Sequence, residues 1–201
     1  PGPAAGTECG MEPPTDARRD FLSMTVCFSL SHACCTTPII YATTFLGAHA
    51  GNIGNGVMYV TNIVCAMLLS VQLVHAISLK GSLIACLSLF SVYLGCFTLS
   101  LVVSDFNRIW LFSIVGSWFG GMAAGIGWVA QGSYFKRCAA LAADAEGVAQ
   151  ELVTGEMAST FAFWYLLVEV CSKVGFSLLL QSNLAPAWIG LIYFLLSLTA
   201  L

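Results

Sequence analysis

Residues 116–135 read GSWFGGMAAGIGWVAQGSYF, an apolar run laced with glycine and followed at once by Lys136 and Arg137. Gly116 and Gly120 form one small-xxx-small pair and Gly121 and Gly125 a second, the spacing that lets a neighbouring helix approach closely. In water each glycine would weaken a helix by about 0.8 to 1.0 kcal/mol relative to alanine. In a bilayer an unpaired backbone group costs several kcal/mol, so the helix stays closed and the glycines become contact points. The run therefore predicts a transmembrane helix built for close packing.

The rest of the chain has the same character. Its 201 residues are 58% hydrophobic and 8% charged, too few charges to cover a surface facing water. The net charge of -3 and the absence of any Lys/Arg run exclude nucleic-acid binding. Six long apolar runs, at residues 21–46, 56–79, 82–103, 109–135, 158–181 and 187–201, predict an all-α integral membrane protein with six transmembrane helices. Residues 1–20 hold four of the six prolines and read as a polar, flexible tail without the form of a secretory signal. The opening Pro1 and the apolar close at Leu201 predict a processed or partial chain with more sequence beyond residue 201.

Short links make consecutive helices antiparallel neighbours. Residues 47–55 (GAHAGNIGN) read as a turn-rich outer link, Lys80-Gly81 as a tight inner one and residues 104–108 as a short outer turn. The Ala-rich stretch after Arg137 predicts either an extension of the fourth helix or an amphipathic helix on the inner surface. Arg18, Arg19, Lys80, Lys136 and Arg137 fall on one side and only Arg108 on the other, which places the N-terminus on the cytosolic, stromal or matrix side.

Polar groups inside apolar helices carry the functional information, because each must be satisfied or solvated. Thr25, Ser29, His32, Thr36 and Thr43 share one stripe of the first helix, which Pro38 interrupts. The stripe is either the wall of a polar cavity or interhelical glue. Asn55, Tyr59 and Asn62 share a face of the second helix with the same two readings. Glu169 and Lys173 stand four residues apart in the fifth, acid first, the better order for an intrahelical pair. That pair either exchanges partners with a permeating ion or proton or is a self-neutralised structural couple. Trp128 and Tyr134 suit a membrane interface by their amphipathic rings, and Gln131 is a candidate to line a path.

Nine cysteines contain no Cys-x-x-Cys pair, seven lie inside apolar runs and the three histidines are scattered, so neither a metal nor a redox site is expected. No paired carboxylates, His cluster or nucleophile motif stands on facing helices, so no catalytic residue is assigned and an enzyme is not expected.

Trp128, Gln131, Gly132 and Tyr134 in GIGWVAQGSYFKRCA, with Leu46, Gly47, Gly54 and Tyr59 in LGAHAGNIGNGVMYV, resemble the Unc-ninety-three-like branch of the major facilitator superfamily. The resemblance spans about residues 21–201 and implies the N-terminal six-helix half of a twelve-helix fold made of three-plus-three inverted repeats. It implies that the first and fourth helices line a central cavity, the second and fifth meet the other half, and the third and sixth face lipid. Members of that branch resemble regulators as much as carriers. Two functions are therefore expected: flux of a small solute or ion, or a non-transporting subunit of a larger membrane complex. Expected partners are lipids and a second six-helix half or partner membrane proteins; no cofactor is expected, apart from lipid or pigment contacts in the subunit case.

Overall fold

The computed structural model describes residues 14–201, which form seven α-helices and no strand among those residues. In order they are α1 (Pro14–Leu46), α2 (Ala48–Leu68), α3 (Ser70–Ile77), α4 (Leu79–Val102), α5 (Phe106–Glu146), α6 (Gln150–Gln181) and α7 (Pro186–Leu198). α1, α4, α5 and α6 are long and apolar enough to cross a membrane. α2 and α3 together make a fifth such unit if the 60° bend between them is taken inside one span. This architecture is compatible with a multi-pass integral membrane protein. The expected sixth span is short: the 13 residues of α7 reach about 20 Å, against about 30 Å of hydrocarbon.

Several boundaries differ from the sequence reading, each for a local reason. Residues 14–20 are helical, and this part of α1 is anchored by buried Ala17 and Phe21. The tail expected over residues 1–13 lies outside the described residues. The stretch from residue 47 to 55 is not a loop: only Gly47, at φ 83°, makes the turn, and α2 begins at Ala48. Its glycines are spent on packing, Gly51 against the α1 backbone at Thr43 and Gly54 against Ser113 and Ser117 of α5. The second run then breaks at Leu69. Ser70 Oγ lies 2.8 Å from the carbonyl oxygens of both Cys65 and Gly125, so the freed end of α2 is satisfied by a side chain that also ties it to α5. The turn into α4 falls at Ser78, in the left-handed region at φ 71°, whose Oγ accepts the Gly81 N–H at 3.3 Å.

α5 is the longest element. Its Ala-rich end continues as helix to Glu146, for 41 residues or about 60 Å, twice the hydrocarbon thickness. Gly147, at φ 66°, terminates it and α6 resumes at Gln150. The overhang is packed: Ala139, Ala142 and Ala143 of α5 and Val153 and Met157 of α6 are buried together with Phe21 of α1 in the one hydrophobic core. Arg18 closes the assembly, with Nε 2.7 Å from Glu146 Oε1 and Nη1 2.9 Å from Glu156 Oε1. Lys80 and Asp20 join the starts of α4 and α1 at 3.4 Å.

The two small-xxx-small pairs of α5 serve two different neighbours. Gly116 and Gly120 meet α4 at Cys96 and Tyr93, and Gly120 also meets Met58 Sδ. Gly121 and Gly125 lie on the α2 backbone between Met58 and Ala66, so close that a Cβ on Gly125 would sit 2.7 Å from the Asn62 carbonyl oxygen. α5 is thereby held between α2 and α4, and α1 runs through the middle in contact with α2, α4, α5, α6 and α7.

Candidate functional site: a polar seam between α1 and α6

α1 and α6 run parallel, joined by a ladder of side-chain hydrogen bonds in nearly constant register. The Tyr165 hydroxyl and His32 Nδ1 are 3.1 Å apart, a bond whose donor is set by the His32 tautomer. Thr36 Oγ1 donates to Glu169 Oε1 at 2.7 Å. The Thr37 and Ser172 hydroxyls hydrogen-bond at 3.1 Å, either one donating, and those of Tyr41 and Ser177 do so at 3.1 Å one further turn along. The α1 partners fall at intervals of 4, 1 and 4 residues and those on α6 at 4, 3 and 5, so adjoining positions on one side of each helix supply every rung. Tyr193 of α7 donates to the Ser172 carbonyl and extends the seam to a third helix.

The charged pair sits at the edge of this seam. Lys173 Nζ lies 2.7 Å from Glu169 Oε1, the same oxygen that accepts from Thr36. Glu169 Oε2 is buried and has no protein partner. The Lys173 side chain is 33% exposed and that of Glu169 17%, so the couple is neither sealed in the core nor free at the surface. Such a half-covered pair inside an apolar helix fits a cavity wall or a protein interface better than open lipid.

Aromatic rings surround the His32 end of the seam. His32 is 5.3 Å from Trp128 and 5.3 Å from Tyr165 between ring centroids, with Phe28 at 5.9 Å and Phe90 at 6.1 Å. Phe161 stacks on Tyr165 at 5.7 Å. Trp128 thus belongs to the same site, at the junction of α1, α5 and α6, rather than to a membrane interface alone. Its ring remains partly exposed beside the charged pair's helix.

Of the residues singled out in the sequence, the structure brings His32, Thr36, Trp128, Glu169 and Lys173 together. It does not bring Asn55, Asn62 or Gln131. Asn55 Nδ2 donates to the Ile39 carbonyl at 3.1 Å, tying α2 to α1 beside a void of only about 10 Å³. Asn62 lends its backbone to the Gly121 and Gly125 contact. Gln131 and Tyr134 are buried on α5, and Gly132 faces open space. At the other end of the α1 stripe, Thr25 and Ser29 are fully buried with no hydroxyl partner, so that part of the stripe lines no open path. A cleft of about 650 Å³ runs beside α6 and α7, is lined by Cys34, Ser172, Gly175 and Tyr193 among apolar groups, and includes neither Glu169 nor Lys173.

Sequence reading missed Tyr165, Ser172 and Ser177. The signal was present in the spacing: Tyr165, Glu169, Ser172 and Phe176 fall at intervals of 4, 3 and 4, a stripe matching His32, Thr36 and its neighbours on α1.

Among the described residues no group of three His, Cys, Asp or Glu side chains is placed to hold a metal ion. No protein-family model, curated protein or solved structure matches the chain.

Proposed function

We propose that this chain is the N-terminal six-helix half of a facilitator-type, Unc-ninety-three-like membrane protein that moves, or regulates the flux of, a small solute or ion. The observation that carries this reading is the pattern of helix pairing. Counting α2 with α3 as one unit gives six, and exchanging the first three for the last three maps most contacts onto others. The α1–α6 pair corresponds to α5–α2, α1–α2 to α5–α6, and α1–α7 to α5–α4, while α1–α5 and α4–α7 map onto themselves. An inverted repeat produces that correspondence. The α1–α4 contact alone lacks a counterpart between α5 and α7.

In this reading the partly exposed Glu169–Lys173 couple and Trp128 face the pathway, and the other half completes it. The test is flux of protons, monovalent cations and chloride through proteoliposomes of the full-length protein. Glu169→Gln and Lys173→Met are expected to lower one of these fluxes while the folded fraction is kept; flux of the wild-type rate in both variants, or none through the wild type, counts against it.

A second reading, a non-transporting subunit, draws on the exposed apolar rows of α2 (Val60, Ile63, Met67) and α6 (Leu166, Val170, Val174). These rows would meet the other half in a transporter and foreign chains in a complex. Photo-crosslinkers at Val60 and Val170 separate the two, giving intramolecular products in the first case and heteromeric ones in the second.

A further inference from the structure

We infer that Glu169 is a proton-binding site, with its Oε2 as the acceptor, and that protonation there releases Lys173 to bind an anion. The inference deepens the reading of the α1–α6 site given above. Oε1 is saturated by two cations or donors, the Lys173 ammonium and the Thr36 hydroxyl, each at 2.7 Å. Oε2 is buried without a partner, an expensive state for half of a carboxylate in an apolar helix. A proton is the one cation that reaches an enclosed oxygen without displacing its walls. The step balances simply: a proton from the aqueous side bonds to Oε2, the carboxylate becomes a neutral acid, and the Lys173 ammonium loses its counter-charge. Lys173, the more exposed of the two, then presents an uncompensated positive charge.

The groups facing Glu169 are consistent with this assignment. α1 contributes His32, Cys34 and Cys35, α6 Tyr165 and Lys173, and α7 Tyr193 at the Ser172 carbonyl. α5 contributes Trp128, which does not titrate. No second carboxylate is among them, so a carboxyl proton taken up here belongs to Glu169.

Infrared difference spectroscopy of the purified full-length protein, between alkaline and acidic buffer, tests the inference. A protonated-carboxyl band from an apolar setting is expected to rise on acidification, to vanish in Glu169→Gln and to change frequency in Glu169→Asp. Chloride is expected to perturb the acidic spectrum of the wild type and not that of Lys173→Met. A band unchanged in Glu169→Gln and Glu169→Asp, or none in the wild type, overturns the site; chloride without effect overturns the release of Lys173. Because this readout needs no transport, a band without flux leaves the proton site standing and removes the transport reading, and flux without a band does the reverse.

Discussion

Thr36 of α1 and Lys173 of α6 meet on a single atom, Glu169 Oε1, each at 2.7 Å. The hydroxyl fixes the carboxylate to the neighbouring helix, so the ion pair is oriented by α1 and not only by its own helix. Thr36→Val keeps the shape and removes the donor. It is expected to cost about 1 to 2 kcal/mol in thermal unfolding, as for a hydrogen bond to a charged group inside a membrane bundle. Thr36→Ser, which keeps the donor, is expected to recover most of it.

Two glycines of α5 should respond to alanine with opposite signs. Gly125 has the Asn62 carbonyl 2.7 Å and the Ala66 nitrogen 2.8 Å from where a Cβ would stand, and backbone cannot yield as a side chain can. Gly125→Ala is expected to destabilise by about 1 to 3 kcal/mol through overpacking. Gly132 has open space at that position, so Gly132→Ala is expected to stabilise by about 0.5 to 1 kcal/mol through the better helix propensity of alanine. Unfolding midpoints of the two variants in one detergent decide the matter; equal shifts would show that the glycine face is not set by contact with α2.

The overhang of α5 and α6 is held by Arg18 between Glu146 and Glu156. All three side chains are well exposed, so the clamp is weakened by salt. Arg18→Gln is expected to speed amide exchange over residues 143–156 at low ionic strength, and wild type in high salt is expected to resemble the variant. Indistinguishable exchange at low salt would mean that the buried alanines alone hold the overhang.

Thiol chemistry reports on the orientation of α6. Among the eight described free cysteines only Cys171 is exposed, while Cys34, Cys35 and Cys86 are almost fully enclosed. A lipid-soluble thiol reagent is expected to modify Cys171 at least about tenfold faster than those three, in line with access control of thiol reactivity. Comparable rates would require α6 to be turned about its axis.

The apolar runs were legible because their length and composition suit helices able to cross a membrane, and the close packing of Gly116 to Gly125 because only small residues suit it. Element ends were less so. GAHAGNIGN carries three glycines and two asparagines and reads as a turn, yet tertiary packing of Gly51 and Gly54 makes it helix. The break at Leu69 has no proline or glycine to announce it; Ser70 supports it through a carbonyl on another helix, which no local pattern records. For the site, the Glu169–Lys173 spacing identified the pair, whereas its partners on α1 and the placing of Trp128 beside His32 depend on the register between helices.

In the proposed function the Glu169–Lys173 couple works rather than merely holds α6 in place. Solute flux through proteoliposomes of the full-length double variant Glu169→Gln/Lys173→Met tests it most directly, because removing both charges leaves none unpaired and commonly preserves or raises stability. The double variant is expected to fold and to lose flux by at least about tenfold, as when a functional intramembrane charge is lost. A folded double variant that carries the wild-type flux would contradict the proposed function.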